Sequence, residues 1–241
     1  MVSEHIIKSD DQELQRLDNT IAEMGGLSES QLAAAIEAVA KRDSELAARV
    51  VKSDAQVDEL EREVESLVVR LLALRQPMAR DLRQIIAGLK IASDLERIGD
   101  YAANVAKRSL VLGQYNLPFA MSGLSSMGRL VQANLKAVID AIGDSDTEAA
   151  MEVWRSDEAI DGIYNALFRE LITYMMEDPR NITPCTHLLF IAKNLERIGD
   201  HATNIAETLY YAVKGEPLTG ARPKGDTSAY AVVRPPATES P

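Results

Sequence analysis

Apolar residues recur every three or four positions through most of this chain, which is the period of one buried face of an α-helix. The pattern predicts helices over residues 10–40, 43–51, 54–74 and about 80–112 in the first half. Gly25-Gly26 interrupts the first of these helices, Asp43 can cap the second, and Pro77 ends the third. No strand pattern of comparable length accompanies them, so the sequence predicts an all-α protein.

The second half of the chain repeats the first. Residues 91–106 read IASDLERIGDYAANVA and residues 191–206 read IAKNLERIGDHATNIA, so eleven of sixteen positions are identical at an offset of 100. Upstream, Ser53-Asp54 corresponds to Ser156-Asp157 at an offset of 103. Helical amphipathicity alone produces matching apolar positions, but it does not produce a shared Glu-Arg-Ile-Gly-Asp. The sequence therefore indicates two copies of one unit.

This duplication predicts two tandem, similar three-helix bundles. In the second copy we expect helices over residues 117–142, 146–153, 157–176 and about 181–213. Three long helices can close one core, which assigns residues 1–113 to the first bundle and 114–214 to the second. Residues 215–241 hold five of the nine prolines. They are predicted to form a disordered Pro/Gly-rich tail, or alternatively a peptide that folds on a partner.

The charge balance restricts the partners. The chain has 26 basic and 37 acidic residues and a formal net charge of −11, and an acidic surface repels a phosphate backbone. We therefore expect no nucleic-acid partner, whereas cations and basic protein surfaces are compatible. The single cysteine, Cys185, argues against a disulfide framework and for a reducing compartment. No uninterrupted run of about 18 apolar residues is present, so no direct membrane insertion is expected.

Acidic residues are placed alike in both copies. Acids four positions apart share one face of a helix, and each copy has two such pairs on successive helices. If those helices are neighbours, a bound cation relieves the repulsion between four gathered carboxylates. Oxygen ligands suit hard ions, and we predict sites for a divalent or trivalent metal: Mg, Mn, Fe, Ca or Zn. The predicted ligands are Asp54, Asp58, Glu96 and Asp100 in the first copy, and Asp157, Asp161, Glu196 and Asp200 in the second, with Asn104 and Asn204 as possible support.

Two other interpretations of these acids stay open. Acids at this spacing are usually a solvated helix face, and a metal-dependent hydrolase acting on phosphate compounds is a second alternative. The hydrolase would need an activated nucleophile or base, and the sequence shows no dedicated one. None of the three histidines follows a glutamate by three positions, which argues against a ferritin-like di-iron site. Glu61 and Glu65 have Tyr164 and Phe168 as counterparts and are predicted to be surface residues.

Smaller features of the repeated motif carry further expectations. A glycine inside a helix costs about 1 kcal/mol relative to alanine, so Gly99 and Gly199 indicate a close approach by a neighbouring helix. Arg97 can hold a nearby carboxylate, and the simplest partner is Asp94. His201 follows Asp200 and could assist a metal, although Tyr101 replaces it in the first copy.

Taken together, these motifs resemble the PhoU family of phosphate-signalling regulators. The resemblance rests on LERIGDYAANVAK, LERIGDHATNIAE, SDAQVDELE and RQPMARDLR, and it covers about residues 5–213. It implies two similar three-helix bundles in one chain, with multinuclear metal clusters bound on the bundle surface by E/D-x-x-x-D pairs. All eight acids named above match those pairs, whereas the tail lies outside the pattern.

The same resemblance implies a function. It identifies a cytoplasmic, non-enzymatic negative regulator of phosphate uptake and of the phosphate regulon. Its partners would be the ATPase subunit of the phosphate ABC transporter and the phosphate sensor histidine kinase, which it keeps from activating a response regulator. A homodimer is expected by the same analogy.

Overall fold

The structure is a computed structural model of the single chain. It describes the backbone of residues 2–74, 77–115, 121–220, 222, 224–226 and 228, and the side chains of these residues from 12 onward. This part of the chain forms six α-helices and one 3-10 turn, Pro179–Asn181, and the prediction of an all-α fold is confirmed. The helices are α1 (Val2–Lys41), α2 (Ser44–Leu74), α3 (Ala79–Leu112), α4 (Ser122–Asp144), α5 (Thr147–Glu177) and α6 (Ile182–Lys214).

Three predicted interruptions of helices are absent. Helix α1 runs through Gly25-Gly26 without a break, and Gly25 serves packing there, because a Cβ on it would lie 3.1 Å from Cγ2 of Ile139 on α4. Helix α2 and helix α5 are each one continuous helix where the sequence predicted two. At the predicted breaks, the hydroxyls of Ser53 and Ser156 donate to the carbonyls of Val50 and Val153, within the helix. Turn-forming residues are tolerated inside a helix when such local bonds satisfy them.

The remaining boundaries agree closely with the sequence, except that α1 begins at Val2 and not at residue 10. Helices α3 and α6 begin and end within two residues of the predicted positions. The predicted start of α4 at residue 117 lies outside the described residues. Asp146 caps α5 by accepting hydrogen bonds from the amides of Glu148 and Ala149, and Asp43 accepts from the amide of Leu46 at the start of α2. The cap at Asp43 is the one that the sequence predicts, and Asp146 occupies the matching position in the second copy.

The two bundles share one apolar core. Helices α1–α3 pack together, helices α4–α6 pack together, and α3 lies along α6 over a long contact. The buried apolar residues of both halves form a single cluster that includes Leu95, Ile98, Leu195 and Ile198. Contacts between residues 94 and 201 and between 108 and 187 show that α3 and α6 run antiparallel. Within the described ranges, no helix has the length and apolar character needed to cross a membrane.

Candidate metal centre

The predicted acids lie where α2 meets α3 and where α5 meets α6. We call Asp54, Asp58, Glu96 and Asp100 the first acidic cluster, and Asp157, Asp161, Glu196 and Asp200 the second acidic cluster. Gly99 and Gly199 make these contacts possible, as the sequence suggests. A Cβ on Gly99 would lie 3.0 Å from Oε1 of Gln31 and 3.6 Å from Oδ1 of Asp54, and one on Gly199 would lie 2.8 Å from Cδ1 of Ile160. Because glycine has no side chain, Gly99 leaves room for the polar side chain of Gln31 in the first cluster. In the same way, Gly199 leaves room for the apolar side chain of Ile160 in the second.

A partly buried hydrogen bond holds the serine that directly precedes the first acid of each cluster. Nε2 of Gln31 donates to Oγ of Ser53 at 3.3 Å, and at the matching positions Nδ2 of Asn134 donates to Oγ of Ser156 at 2.6 Å. Each contact joins the first helix of a unit to the residue directly before its first acid. Gln31 and Asn134 are buried polar residues on helices with ordinary amphipathic patterns, and neither is predicted from the sequence to support the site. Their equivalence at an offset of 103 is the signal that would have found them.

Carboxylates of the first acidic cluster repel one another. Burial raises the pKa of Asp54, and the charges of Asp100 and Asp58 add to that rise. Burial likewise raises the pKa of Glu96 from 4.5 to about 7, with a further contribution from Asp100 and an opposing one from Arg97. The charges that raise these two pKa values belong to acids on α2 and α3, and Oδ1 of Asp54 would lie 3.6 Å from a Cβ on Gly99, so acids of both helices lie along this helix contact.

Arg97 borders the first cluster from the solvent side. Its guanidinium lies 3.5 Å from Oε2 of Glu96 and 3.4 Å from Oδ2 of Asp100, and its side chain is more than half exposed. The local pair with Asp94 that the sequence favoured is wrong. Glu61 also differs from expectation: it is half-buried, and burial together with Glu65 raises its pKa. An exposed arginine compensates a carboxylate weakly, so the first cluster keeps most of its negative charge.

Oxygen atoms that can coordinate a metal ion are numerous in the first cluster. Besides the four carboxylates, Asn104 lies half-buried on α3, and Oε1 of Gln31 is buried with no hydrogen-bond partner. A buried, unpartnered oxygen beside Asp54 suits an incoming cation, since unsatisfied acceptors are costly. Among the described residues, no three His, Cys, Asp or Glu side chains already form a group that could hold a metal ion.

In the second acidic cluster the chain supplies its own cation. The guanidinium of Arg222, from the C-terminal segment, donates from Nε to Oδ2 of Asp157 at 2.9 Å and from Nη2 to Oδ1 of Asp200 at 2.7 Å. Nη1 donates to Oδ1 of Asn204 at 3.0 Å, and Nη2 also reaches the carbonyl of Asp200. Every guanidinium nitrogen is thus engaged. The sequence predicts disorder for this segment, yet its described residues make specific contacts with α5 and α6.

The rest of the second cluster is also engaged. The amides of Gly225 and Asp226 donate to Oδ2 of Asp161 at 2.7 and 3.1 Å, which opposes the rise that burial imposes on the pKa of that carboxyl. Nζ of Lys193 donates to Oε1 of Glu196 and to Oδ2 of Asp226, both at 2.9 Å. Oε2 of Glu196 stays buried without a partner, and burial raises the pKa of this acid. The position that matches Lys193 is Ser93, so the first copy has no lysine at this position, and the cation that opposes the raised pKa of Asp54 there is Lys107.

His201 faces the other bundle rather than the acids beside it. Nδ1 of His201 lies 2.7 Å from Oδ1 of Asp94, and Nδ2 of Asn204 donates to the same oxygen at 3.4 Å. The rings of Tyr101 and His201, which occupy equivalent positions, lie 5.6 Å apart at the contact between α3 and α6. Asp94 therefore ties the first bundle to the rim of the second cluster.

Comparison with known proteins decides the family. A PhoU domain matches residues 21–109 and again 124–209. The chain belongs to the PhoU family. Its relatives include a "phosphate-specific transport system accessory protein PhoU homolog" of Caulobacter vibrioides, 53% identical over 226 residues that cover 93% of this chain and 98% of that protein.

Two solved structures of the PhoU family show the same fold. PhoU from Pseudomonas aeruginosa superposes with a TM-score of 0.84 at 40% identity, covering 86% of this chain and 99% of that chain. The phosphate transport system regulatory protein PhoU from Streptococcus pneumoniae gives 0.81 at 34% identity, covering 87% and 99%. The double match confirms the predicted duplication, whereas the boundaries at residues 113 and 214 stay predictions. The chain is a phosphate-transport accessory and regulatory protein, and this family is non-enzymatic.

Proposed function

We propose that this chain is a metal-binding adaptor that restrains phosphate uptake and the phosphate regulon when phosphate is ample. The observation that carries the metal part is the first acidic cluster, whose carboxylates come from two packed helices, where burial and neighbouring acids raise the pKa values of Asp54 and Glu96. A hard ion such as Mg²⁺ or Mn²⁺ would draw these carboxylates together and remove their repulsion. Family membership supports the phosphate-regulatory part.

The proposed partners follow from charge and from family membership. They are the ATPase subunit of the phosphate ABC transporter and the phosphate sensor histidine kinase. The chain would contact both of them in the cytoplasm. An ion held at the first cluster would present open coordination positions or a neutralised face to a partner surface. The first acidic cluster gives the molecule a negatively charged face for contact with a basic or metal-bridged surface.

A homodimer belongs to the same proposal. Sedimentation velocity on the purified chain should give a mass near twice the 26.4 kDa of one copy. A single species at the mass of one copy would remove the dimer and leave the metal proposal untouched.

Substitution of two acids tests the site without altering its shape. We expect Asp58→Asn together with Asp100→Asn to lower Mn²⁺ affinity at least about tenfold, because each removed carboxylate is a charged ligand. Equilibrium dialysis followed by elemental analysis measures the bound ion, and circular dichroism measures retention of the helices. The matched control is Asp140→Asn with Asp144→Asn, which removes the same charge from exposed positions on α4.

A cellular readout then connects the ion to regulation. In cells that lack their own copy and grow in ample phosphate, the double variant D58N/D100N should derepress a phosphate-regulon reporter, while D140N/D144N should repress it like the unaltered chain. Unchanged Mn²⁺ binding by D58N/D100N would refute the site. Lost binding with full repression would refute a role of the ion in regulation.

A further inference from the structure

The described part of the C-terminal segment behaves as a bound ligand, not as a loose chain. Arg222 makes four hydrogen bonds to two helices, and its side chain is 18% exposed although it lies beyond the last helix. Two consecutive amides, of Gly225 and Asp226, converge on one carboxylate oxygen of Asp161. Guanidinium groups recognise paired carboxylates through such a planar fork, which a lysine cannot reproduce.

Close approach of the segment depends on a glycine. A Cβ on Gly225 would lie 3.3 Å from Cβ of Asp161 and 3.7 Å from the carbonyl oxygen of Glu158. The carbonyl of Gly225 in turn accepts a hydrogen bond from Nδ2 of Asn165 at 2.6 Å. The backbone of Gly225 and the side chain of Arg222 therefore both make specific contacts with α5.

The duplication offers an internal comparison. Glu196 is 6% exposed in its side chain and Asp200 is 25% exposed, against 17% for Glu96 and 39% for Asp100 at the matching positions. The helices and the acids are equivalent in the two copies, so the difference in exposure follows from the added C-terminal segment and from Lys193. Arg222, Lys193 and Lys224 all lie within 4 Å of second-cluster carboxylates.

We propose that the second acidic cluster is a binding site for a guanidinium-bearing peptide and that Arg222, together with the described residues 224–226, is its resident ligand. The segment closes the second cluster to external cations, whether a metal ion or a basic side chain of a partner, until it is released. The first cluster has no such occupant among the described residues and stays open. The proposal refines the proposed function by giving the two clusters different states, and its test is carried out without metal.

Hydrogen exchange of the full-length chain in the presence of a chelator tests the binding directly. We expect slow exchange at the amides of Gly225 and Asp226, and Arg222→Gln should accelerate it at least about tenfold because several charge-assisted hydrogen bonds are lost. Arg180→Gln is the matched control, since it removes one positive charge from an exposed arginine. Arg222→Lys keeps the charge but not the fork, and its exchange should lie near that of Arg222→Gln.

Carboxyl labelling with a carbodiimide and an amine gives a second readout on the acids themselves. Arg222→Gln should increase labelling of Asp157 and Asp200 and leave Asp54 and Asp100 unchanged. Fast exchange at Gly225 in the unaltered chain, or equal labelling of Asp157 with and without Arg222, would overturn the proposal. Wild-type protection in Arg222→Lys would overturn recognition of the guanidinium. None of these results depends on whether the first cluster binds Mn²⁺.

Discussion

Glu96 and Glu196 occupy the same position of the repeat and differ in what surrounds them. Glu196 receives a hydrogen bond from Lys193, whereas Glu96 faces Asp100 and an exposed arginine. The pKa of Glu96 consequently lies near 7 in the folded chain, against 4.5 for a free glutamate. A buried acid in this state makes the folded protein sensitive to pH over a range where most carboxylates are fully ionised.

The direction of this pH effect follows from proton linkage. Between pH 4.5 and about 7 the folded chain holds a proton on Glu96 that the unfolded chain has lost. The free energy of unfolding therefore falls as pH rises through this window and levels off above it. In a metal-free buffer, we expect Glu96→Gln to remove this part of the pH dependence. The variant and the wild type should have about equal free energies of unfolding at pH 4.5. At pH 8 the variant should be more stable by about 1 kcal/mol, after allowance for solvent screening.

Urea unfolding at both pH values measures the effect of Glu96→Gln. Glu59→Gln, at an exposed position on α2, is the control and should leave the pH dependence unchanged. A variant E96Q that loses as much stability as the wild type between pH 4.5 and pH 8 would show that the carboxyl of Glu96 is not the titrating group.

At the scale of helices, the sequence predicts most of the fold. Apolar spacing predicts the helical regions, in eight segments where the structure has six helices, and the capping residue Asp43 predicts the start of α2. The predicted breaks fail because local composition at Gly25-Gly26 and Ser53-Asp54 favours turns, while packing against neighbouring helices continues through them. Tertiary contacts outweigh a local propensity difference of about 1 kcal/mol.

The cap of α5 allows a prediction that is independent of the acidic clusters. Asp146→Ala should lower the free energy of unfolding by about 1 kcal/mol, because the amides of Glu148 and Ala149 lose their acceptor. Asp144→Ala, two residues away and exposed, should have little effect. Thermal unfolding measures both, and equal destabilisation by the two substitutions would contradict the assigned cap.

Across the whole molecule, the contact between α3 and α6 links the bundles near the second cluster. Oδ1 of Asp94 contacts Nδ1 of His201 at 2.7 Å, and both side chains are mostly buried. A double-mutant cycle with Asp94→Ala and His201→Ala should give a coupling energy of about 0.5–3 kcal/mol. The exposed pair Arg16–Glu63 is the control and should give at most about 1 kcal/mol. Additive effects of D94A and H201A would contradict a link between the bundles through this pair.

The sequence proposes the members of the candidate site, but it does not predict that the two clusters have different surroundings. Spacing four apart and repetition identify all eight acids, because a helix places residues i and i+4 on one face. The different states of the two clusters depend in part on Lys193, which lies three positions before Glu196 on α6. They depend also on Arg222 and Gln31, which approach from a segment whose composition suggests disorder and from another helix. Contacts made over such sequence separations leave no periodic signal in the chain.

We propose that the first acidic cluster binds a hard metal ion while the second is closed by the chain's own arginine. Anomalous diffraction from crystals of the full-length chain grown with Mn²⁺ distinguishes the two clusters. We expect an anomalous peak between the carboxylates of Asp54, Asp58, Glu96 and Asp100, and at Asp157 and Asp200 we expect the side chain of Arg222 and no peak. A first cluster without a peak at saturating Mn²⁺, or a peak beside Asp157 with Arg222 still in place, would contradict it.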